Sequence, residues 1–306
     1  MTKVFIDGSA GTTGLRIHER LSDRKDLSLV TLPDEVRKDP TARREAINGA
    51  DIVFLCLPDA AAIEAVAMCD DPNVKIIDTS TAHRTNDAWA YGFAELGRRA
   101  QIQASKRIAN PGCHASGFLA LTEPLVRAGL LKADAYLSCF SLTGYSGGGK
   151  KMIADYENGE RDKLLDAPRQ YGIAQAHKHL PEMVKISGLQ NAPAFCPIVG
   201  DFYSGMEVTV PVFAKDLKGN AEDIKSVYRE TYKEGLVRFV EDEGEGGFLS
   251  ANAFADRDDM EVRVCGNGER ILLVSRFDNL GKGASGAAIQ NMNILLGVDE
   301  ATGLNV

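Results

Sequence analysis

The chain has 306 residues, enough for two domains with separate cores, and its 44% apolar and 25% charged residues are those of an ordinary globular protein. A formal charge of −8 excludes a general binder of nucleic acid or anionic membrane and leaves room only for local basic pockets. No apolar run is long and charge-free enough to span a bilayer, and no signal-peptide pattern opens the chain.

Residues 3–6 read as a short strand that runs into Gly8-Ser9-Ala10-Gly11-Thr12-Thr13-Gly14, followed by a helix over 14–21. In a G-x-x-G-x-x-G turn between strand and helix, glycines permit a tight bend and the approach of a pyrophosphate to the helix N-terminus. Gly8, Ser9, Gly11, Thr12, Thr13 and Gly14 are therefore candidate cofactor contacts, against the alternative of a merely structural turn. A second strand over 27–32 leads to Asp34, placed to accept from a ribose 2′-hydroxyl, and to Arg37 and Lys38, which suit a 2′-phosphate. The residues leave NAD and NADP both open. A helix over 41–48, an almost continuously apolar strand over 51–57, a helix over 60–68 and a strand over 74–78 repeat the βα unit. Strands of that texture are buried on both faces, so the expected class is an α/β Rossmann doubly wound parallel sheet.

Asn110-Pro111-Gly112-Cys113-His114 then sets a thiol before a helix over 115–125. Pro111 biases Asn110 toward extended backbone and Gly112 allows a sharp turn. The positive end of a helix dipole favours thiolate, the nucleophilic form, which makes Cys113 the candidate nucleophile rather than a buried structural cysteine. His114 suits catalysis less, because neighbouring helical side chains diverge by about 100°. The six cysteines form no C-x-x-C pair and read as reduced thiols in the cytoplasm.

Beyond Cys113 the texture becomes α+β, with a mostly antiparallel sheet. Strands are expected over 133–143, 206–213, 260–265 and 270–277, and helices over 151–158, 181–187 and 221–234. The acidic run 241–245 reads as a solvated loop, and a closing helix over 284–296 is expected to pack back on the first domain. Residues 144–151, G-Y-S-G-G-G-K-K, nearly match a triphosphate loop, but Lys151 stands where a hydroxyl must reach magnesium. The loop is instead a candidate anion site, against a flexible turn with solvated lysines. His177 and His179 share one face if extended, and serve the cysteine as acid and base better than they serve a metal, for which no third ligand or C-x-x-C lies near. No metal is expected, and His18 and His83 are assigned to the surface or the cofactor side.

Taken together, G-S-A-G-T-T-G, F-L-C-L-P-D, D-T-S-T-A-H-R, A-N-P-G-C-H, G-Y-S-G-G-G-K, H-K-H-L-P-E and D-N-L-G-K-G-A-S-G-A-A-I-Q-N-M-N span residues 7–293. In this order they resemble the N-acetyl-γ-glutamyl-phosphate reductase family, in its shorter type, within the semialdehyde dehydrogenases and the wider glyceraldehyde-phosphate-dehydrogenase-like group. The resemblance implies a dinucleotide-binding domain of 1–112 and 284–306, and a catalytic and oligomerisation domain of 113–283. It implies NADPH as reductant, Cys113 as nucleophile, and His179, ahead of His177, as acid/base. Ser80, Pro111, Asn279 and Gly281 would lie along the cofactor. Ser146, Gly147, Lys150 and Glu182 are the candidate substrate contacts. The reaction implied is reduction of an acyl phosphate through a cysteine thioester, with release of inorganic phosphate, in arginine biosynthesis. The expected assembly is a homo-dimer or tetramer. Gly112 stands where aspartate-semialdehyde dehydrogenases usually carry Asn, which lowers that alternative. A non-catalytic NADP-binding sensor is a third reading, disfavoured by the thiol and the paired histidines.

Overall fold

In chain order, β1 (Thr2–Asp7), α1 (Thr12–Leu21), β2 (Leu27–Val30), α2 (Pro40–Asn48), β3 (Ile52–Leu55), α3 (Asp59–Ala67), β4 (Lys75–Asp78), β5 (Ala90–Tyr91), α4 (Arg99–Ala104) and β6 (Arg107–Ala109) alternate along the first third of the chain. The structure, a computed structural model, describes residues 1–242 and 244–306. These strands form one sheet in the order β2-β1-β3-β4-β6-β5, with every pairing parallel. Successive side chains of a strand point to opposite faces. Val4, Ile6, Ile52 and Phe54 accordingly pack with Ile17 and Leu21 on one side, while Phe5, Val53 and Leu55 pack with Ile47, Ala62 and Ala65 on the other. Asp39 caps α2, accepting from Ala42 N at 2.8 Å, and Pro40 takes the first helical position, where its missing N–H costs nothing.

The second part comprises α5 (Cys113–Arg127), β7 (Ser138–Gly144), α6 (Gly149–Glu157), β8 (Arg169–Gln170), α7 (Leu180–Ser187), β9 (Ala194–Gly200), β10 (Met206–Phe213), α8 (Ala221–Thr231), β11 (Val237–Phe239), β12 (Met260–Gly266) and β13 (Arg270–Phe277). Its sheet runs β11-β12-β13-β10-β7-β9-β8 and is mostly antiparallel; only β11–β12 and β7–β9 are parallel. β10 buries Met206, Val208, Val210 and Val212 on one face and leaves Glu207, Thr209 and Pro211 half-buried on the other. α5 lies so close to the buried face that a Cβ on Gly117 would sit 2.4 Å from Val208 Cγ2. Tyr228 of α8 and Tyr232 at its C-cap donate to the Leu121 and Ala120 carbonyls at 2.5 Å. α9 (Gly286–Leu296) closes the chain and brings Ala288, Ile289 and Met292 into the core of the parallel sheet. The chain divides into two compact units, Met1–Ala94 with Arg98–Gly112 and Ala284–Asn305, and Glu95–Gly97 with Cys113–Gly283 and Val306.

Several elements depart from the expectations. The strand read over 133–143 begins only at Ser138, because Ala135 N bonds Lys132 O in a turn at Asp134. β5, β6, β8, β9 and β11 and the short α4 were not anticipated; β9 carries Pro197, which ordinarily argues against a sheet interior. Within the acidic run, residue 243 lies outside the described residues. Its neighbours are not simply solvated: Glu241, Asp242 and Glu245 pair with Arg229, Arg263 and Arg276.

Candidate active site

Cys113 is the first residue of α5 and is partly exposed. Behind it, a Cβ on Gly283 would lie 2.9 Å from the Cys113 Cβ, so the approach of residue 283 to the thiol requires glycine. His114, next in the helix, points into the core. Its Nδ1 lies 2.7 Å from Ser141 Oγ and its Nε2 2.6 Å from Tyr171 OH. Burial, reinforced by the charges of His177 and Lys178, pushes its pKa down to about 3, so the ring stays neutral. Burial also raises the Tyr171 phenol, and the Cys113 charge raises it further, so Tyr171 remains a protonated donor within electrostatic reach of the thiol.

The histidine pair joins this cluster. The His177 and His179 rings lie 4.8 Å apart, and each stands about as far from His114, at 5.6 and 5.5 Å. His179 is buried at the N-cap of α7 and its amide donates to His177 Nδ1 at 3.2 Å. His177 is half-buried, and burial followed by the Lys178 charge lowers its pKa. Glu182 is buried in the first turn of α7. Among the described residues no group of three His, Cys, Asp or Glu side chains is arranged to hold a metal ion.

The Gly144–Gly149 segment offers fewer free amides than its glycines suggest. The N–H groups of 144, 145 and 146 bond the carbonyls of Gly205, Phe202 and Tyr203, and that of Gly149 bonds Ser146 O. Ser146 is buried, its hydroxyl accepting from Asn279 Nδ2 at 3.0 Å, while Asn279 Oδ1 accepts from Gly205 N at 2.9 Å. Gly147 and Lys150 are exposed. A Cβ on Gly281 would strike Arg257 O at 1.9 Å, which gives that glycine a packing reason.

In the first unit, Gly8 has φ +86° and its Cβ would meet Cys56 O at 2.3 Å; a Cβ on Gly14 would meet Gly8 O at 2.5 Å. Gly11 caps α1 without a side-chain bond, and its own Cβ would find only ordinary contacts. The turn thus brings open backbone to the start of α1, with Ser9, Thr12 and Thr13 partly exposed beside it. Asp34, Arg37 and Lys38 are exposed, and Arg37 Nε lies 3.2 Å from Asp34 Oδ1. Ser80 is buried and donates to Asp78 Oδ2 at 2.8 Å. His83 is not at the surface: it is buried, 2.6 Å from Asp78 Oδ2 and stacked on Trp89 at 4.0 Å; His18 is exposed. Pro111 is buried, and Arg84 Nε holds the preceding Asn110 carbonyl at 2.8 Å. Sequence reasoning overlooked Ser141, Tyr171 and Arg84. Only D-T-S-T-A-H-R hinted at the last, and no local pattern marks the other two.

Comparison with known proteins places the chain in a family. Family models match residues 3–104 as a semialdehyde dehydrogenase NAD binding domain and 113–279 as a semialdehyde dehydrogenase dimerisation domain. The N-acetyl-gamma-glutamyl-phosphate reductase of Burkholderia lata is 45% identical, covering 96% of both chains, and the N-acetyl-gamma-glutamyl-phosphate reductase 2 of Pseudomonas putida is 44% identical, covering 98% of both. The fold is similar to that of aspartate semialdehyde dehydrogenase II from Vibrio cholerae, with TM-score 0.72 and 17% identity over 97% of this chain and 98% of that one.

Proposed function

Because the chain belongs to the N-acetyl-γ-glutamyl-phosphate reductases, within the semialdehyde dehydrogenase family, we propose that it reduces N-acetyl-γ-glutamyl phosphate to N-acetylglutamate semialdehyde in arginine biosynthesis. It is an oxidoreductase that takes a nicotinamide cofactor. The observation that carries the substrate chemistry is Cys113 at the first turn of α5, beside a cluster of three histidine rings.

The Cys113 thiolate attacks the acyl carbon, and the carbon–oxygen bond to phosphate breaks, releasing inorganic phosphate and leaving a thioester. Backbone N–H groups at the start of α5 are suited to the oxyanion. NADPH, when bound, supplies the hydride. The carbon–sulfur bond then breaks to free the aldehyde, and an imidazole returns a proton to the departing thiolate. The expectation favoured His179, but His179 is buried and donates its main-chain amide to His177 Nδ1, whereas His177 is half-buried, so the exchange is assigned to His177 with His179 as its support. Lys150, in the first turn of α6, and Gly147 just before that helix are exposed and meet the substrate's anionic groups; Ser146 and Glu182, both buried, are the remaining candidate contacts.

The glycine turn suits a pyrophosphate, since Gly8 and Gly14 leave no room for side chains and α1 has no side-chain cap. NADPH is preferred to NADH because Arg37 engages Asp34, the group that would repel a 2′-phosphate, with Lys38 beside it. Two copies pair through the exposed apolar part of the antiparallel sheet around Phe140, Phe213 and Leu272, a reading supported by the match to a dimerisation-domain model.

Phosphate-dependent reduction of NADP by N-acetylglutamate semialdehyde, run beside aspartate semialdehyde and beside NAD, tests the proposal. Turnover of the acetylated substrate with about tenfold or greater preference for NADP is expected, the value of one charge-assisted phosphate contact. Turnover of aspartate semialdehyde alone would overturn the substrate, and equal efficiency with NAD would overturn the cofactor.

A further inference from the structure

We infer that Gln175 is a positioning residue for the histidine chemistry at Cys113: its side-chain amide replaces a missing residue at the edge of β9 and fixes the loop that carries Tyr171, His177 and His179. β8 runs antiparallel to β9, with Arg169 opposite Val199 and Gln170 opposite Ile198. The Tyr171 amide continues the ladder to Pro197 O at 3.0 Å. Two residues further, that register would set Ile173 opposite Phe195 as the next hydrogen-bonded pair. The backbone instead leaves the sheet at Gly172, with φ +61°, and Ile173 is 80% exposed.

The vacated position is taken by the side chain of Gln175. Its Nε2 donates to Phe195 O at 2.7 Å and its Oε1 accepts from Phe195 N at 2.8 Å. One amide side chain thus makes both bonds that a strand residue's main chain would make, satisfying a donor and an acceptor at the sheet edge. Glutamine does this from φ +54°, a left-handed conformation that non-glycine residues seldom occupy and that glycine would adopt without strain. The two bonds to Phe195 offset that conformational cost.

Those bonds join two pieces of the site. The buried Phe195 ring lies 5.3 Å from the His114 ring and 5.1 Å from that of His177. The loop, for its part, delivers Tyr171 to His114 Nε2 and places His177 two residues beyond Gln175. The titratable groups around His177 are His114, His179 and Tyr171, together with the charge of Lys178. Releasing the loop from Phe195 admits water to His177 and lets its titration move back up toward 6.5, its ordinary value.

The inference rests on the role proposed for His177, so its test includes a measurement that needs no turnover. The His177 titration is followed by NMR in histidine-labelled protein, and kcat and KM are measured alongside, for Gln175→Ala and Gln175→Gly. Glycine accepts the left-handed backbone and keeps the loop foldable, which separates loss of the amide from strain. Both variants are expected to raise the His177 pKa and to lower kcat by about tenfold or more, the usual price of a misplaced catalytic group, with KM changed much less. A Gln175→Gly protein whose His177 titration and kcat both equal the parent's would overturn the inference. If the parent reduces no acyl phosphate, the proposed reaction fails, while a shifted His177 titration still supports the role of Gln175.

Discussion

Cys113 and His114 are neighbours in sequence, yet one is partly exposed and the other buried, and this sets a measurable proton linkage. The folded protein holds His114 neutral down to about pH 3, by burial first and by the charges of His177 and Lys178 next, whereas the unfolded chain binds that proton near 6.5. Its contribution to stability is therefore complete above pH 6.5 and is lost as the pH falls toward 3. Within that window one extra proton on the unfolded chain is worth about 1.4 kcal/mol per pH unit. His114→Gln keeps a polar group for Ser141 and Tyr171 but cannot titrate. Urea unfolding between about pH 6 and 5 should show a slope smaller by up to that amount in the variant; parallel slopes would mean that folded His114 takes up its proton like the free side chain. At this scale the legible residues were those whose reason is local. Pro111 and Gly112 announce the helix start at Cys113. Ser141 and Tyr171 lie 27 and 57 residues from His114, and only the sheet brings them to it.

Among the elements, the turn before α9 bears most directly on the thiol. Gly281–Ser285 form one π-helical turn, a form often found at functional sites. Lys282 Nζ is anchored to both carboxylate oxygens of buried Glu95 at 2.9 Å, and Gly281 is wedged under Arg257 O. The turn has little freedom to retreat, so a methyl at residue 283 must press on Cys113 itself. Gly283→Ala is expected to cost about 1–3 kcal/mol of stability, as overpacking does. It should also slow both kcat and iodoacetamide alkylation of Cys113 by about tenfold or more through displacement of the nucleophile. Unchanged alkylation, with the variant folded, would mean that the thiol shifts without consequence. The parallel βα elements were readable because a strand buried on both faces is apolar throughout, as Ile52–Leu55 is. β9 was not, since Pro197 within it argues against a sheet interior. Pro197 has no N–H to give, but its carbonyl still accepts from Tyr171 and its neighbours still pair with β7.

For the whole molecule, the exposed part of the antiparallel sheet's second face, around Phe140, Phe213 and Leu272, poses the question of assembly. Phe140, Phe213 and Leu272 are 45%, 53% and 40% exposed there, and Pro211 pairs with Leu272 in the register that joins β10 to β13. Three large apolar side chains on one sheet face are more than scattered surface residues need to be, and such a patch marks an interaction site. A second copy of the chain is the proposed occupant, consistent with the dimerisation-domain model that matches residues 113–279. Each copy carries a formal charge of −8, so net electrostatics oppose association and the apolar face must supply the attraction. Sedimentation should accordingly show a dimer that tightens as salt screens the repulsion. Leu272→Glu places a carboxylate where it would be buried unpaired, weakening the dimer by about 2–4 kcal/mol, or roughly thirtyfold to a thousandfold in Kd. Because Leu272 is part-exposed in the single chain, the monomer should fold with an unchanged circular dichroism spectrum. Cys113, His114, Tyr171, His177 and His179 all belong to one unit of one chain, so alkylation of Cys113 should survive dissociation. A monomeric parent protein, or a Leu272→Glu variant as dimeric as the parent, would remove this face from the assembly.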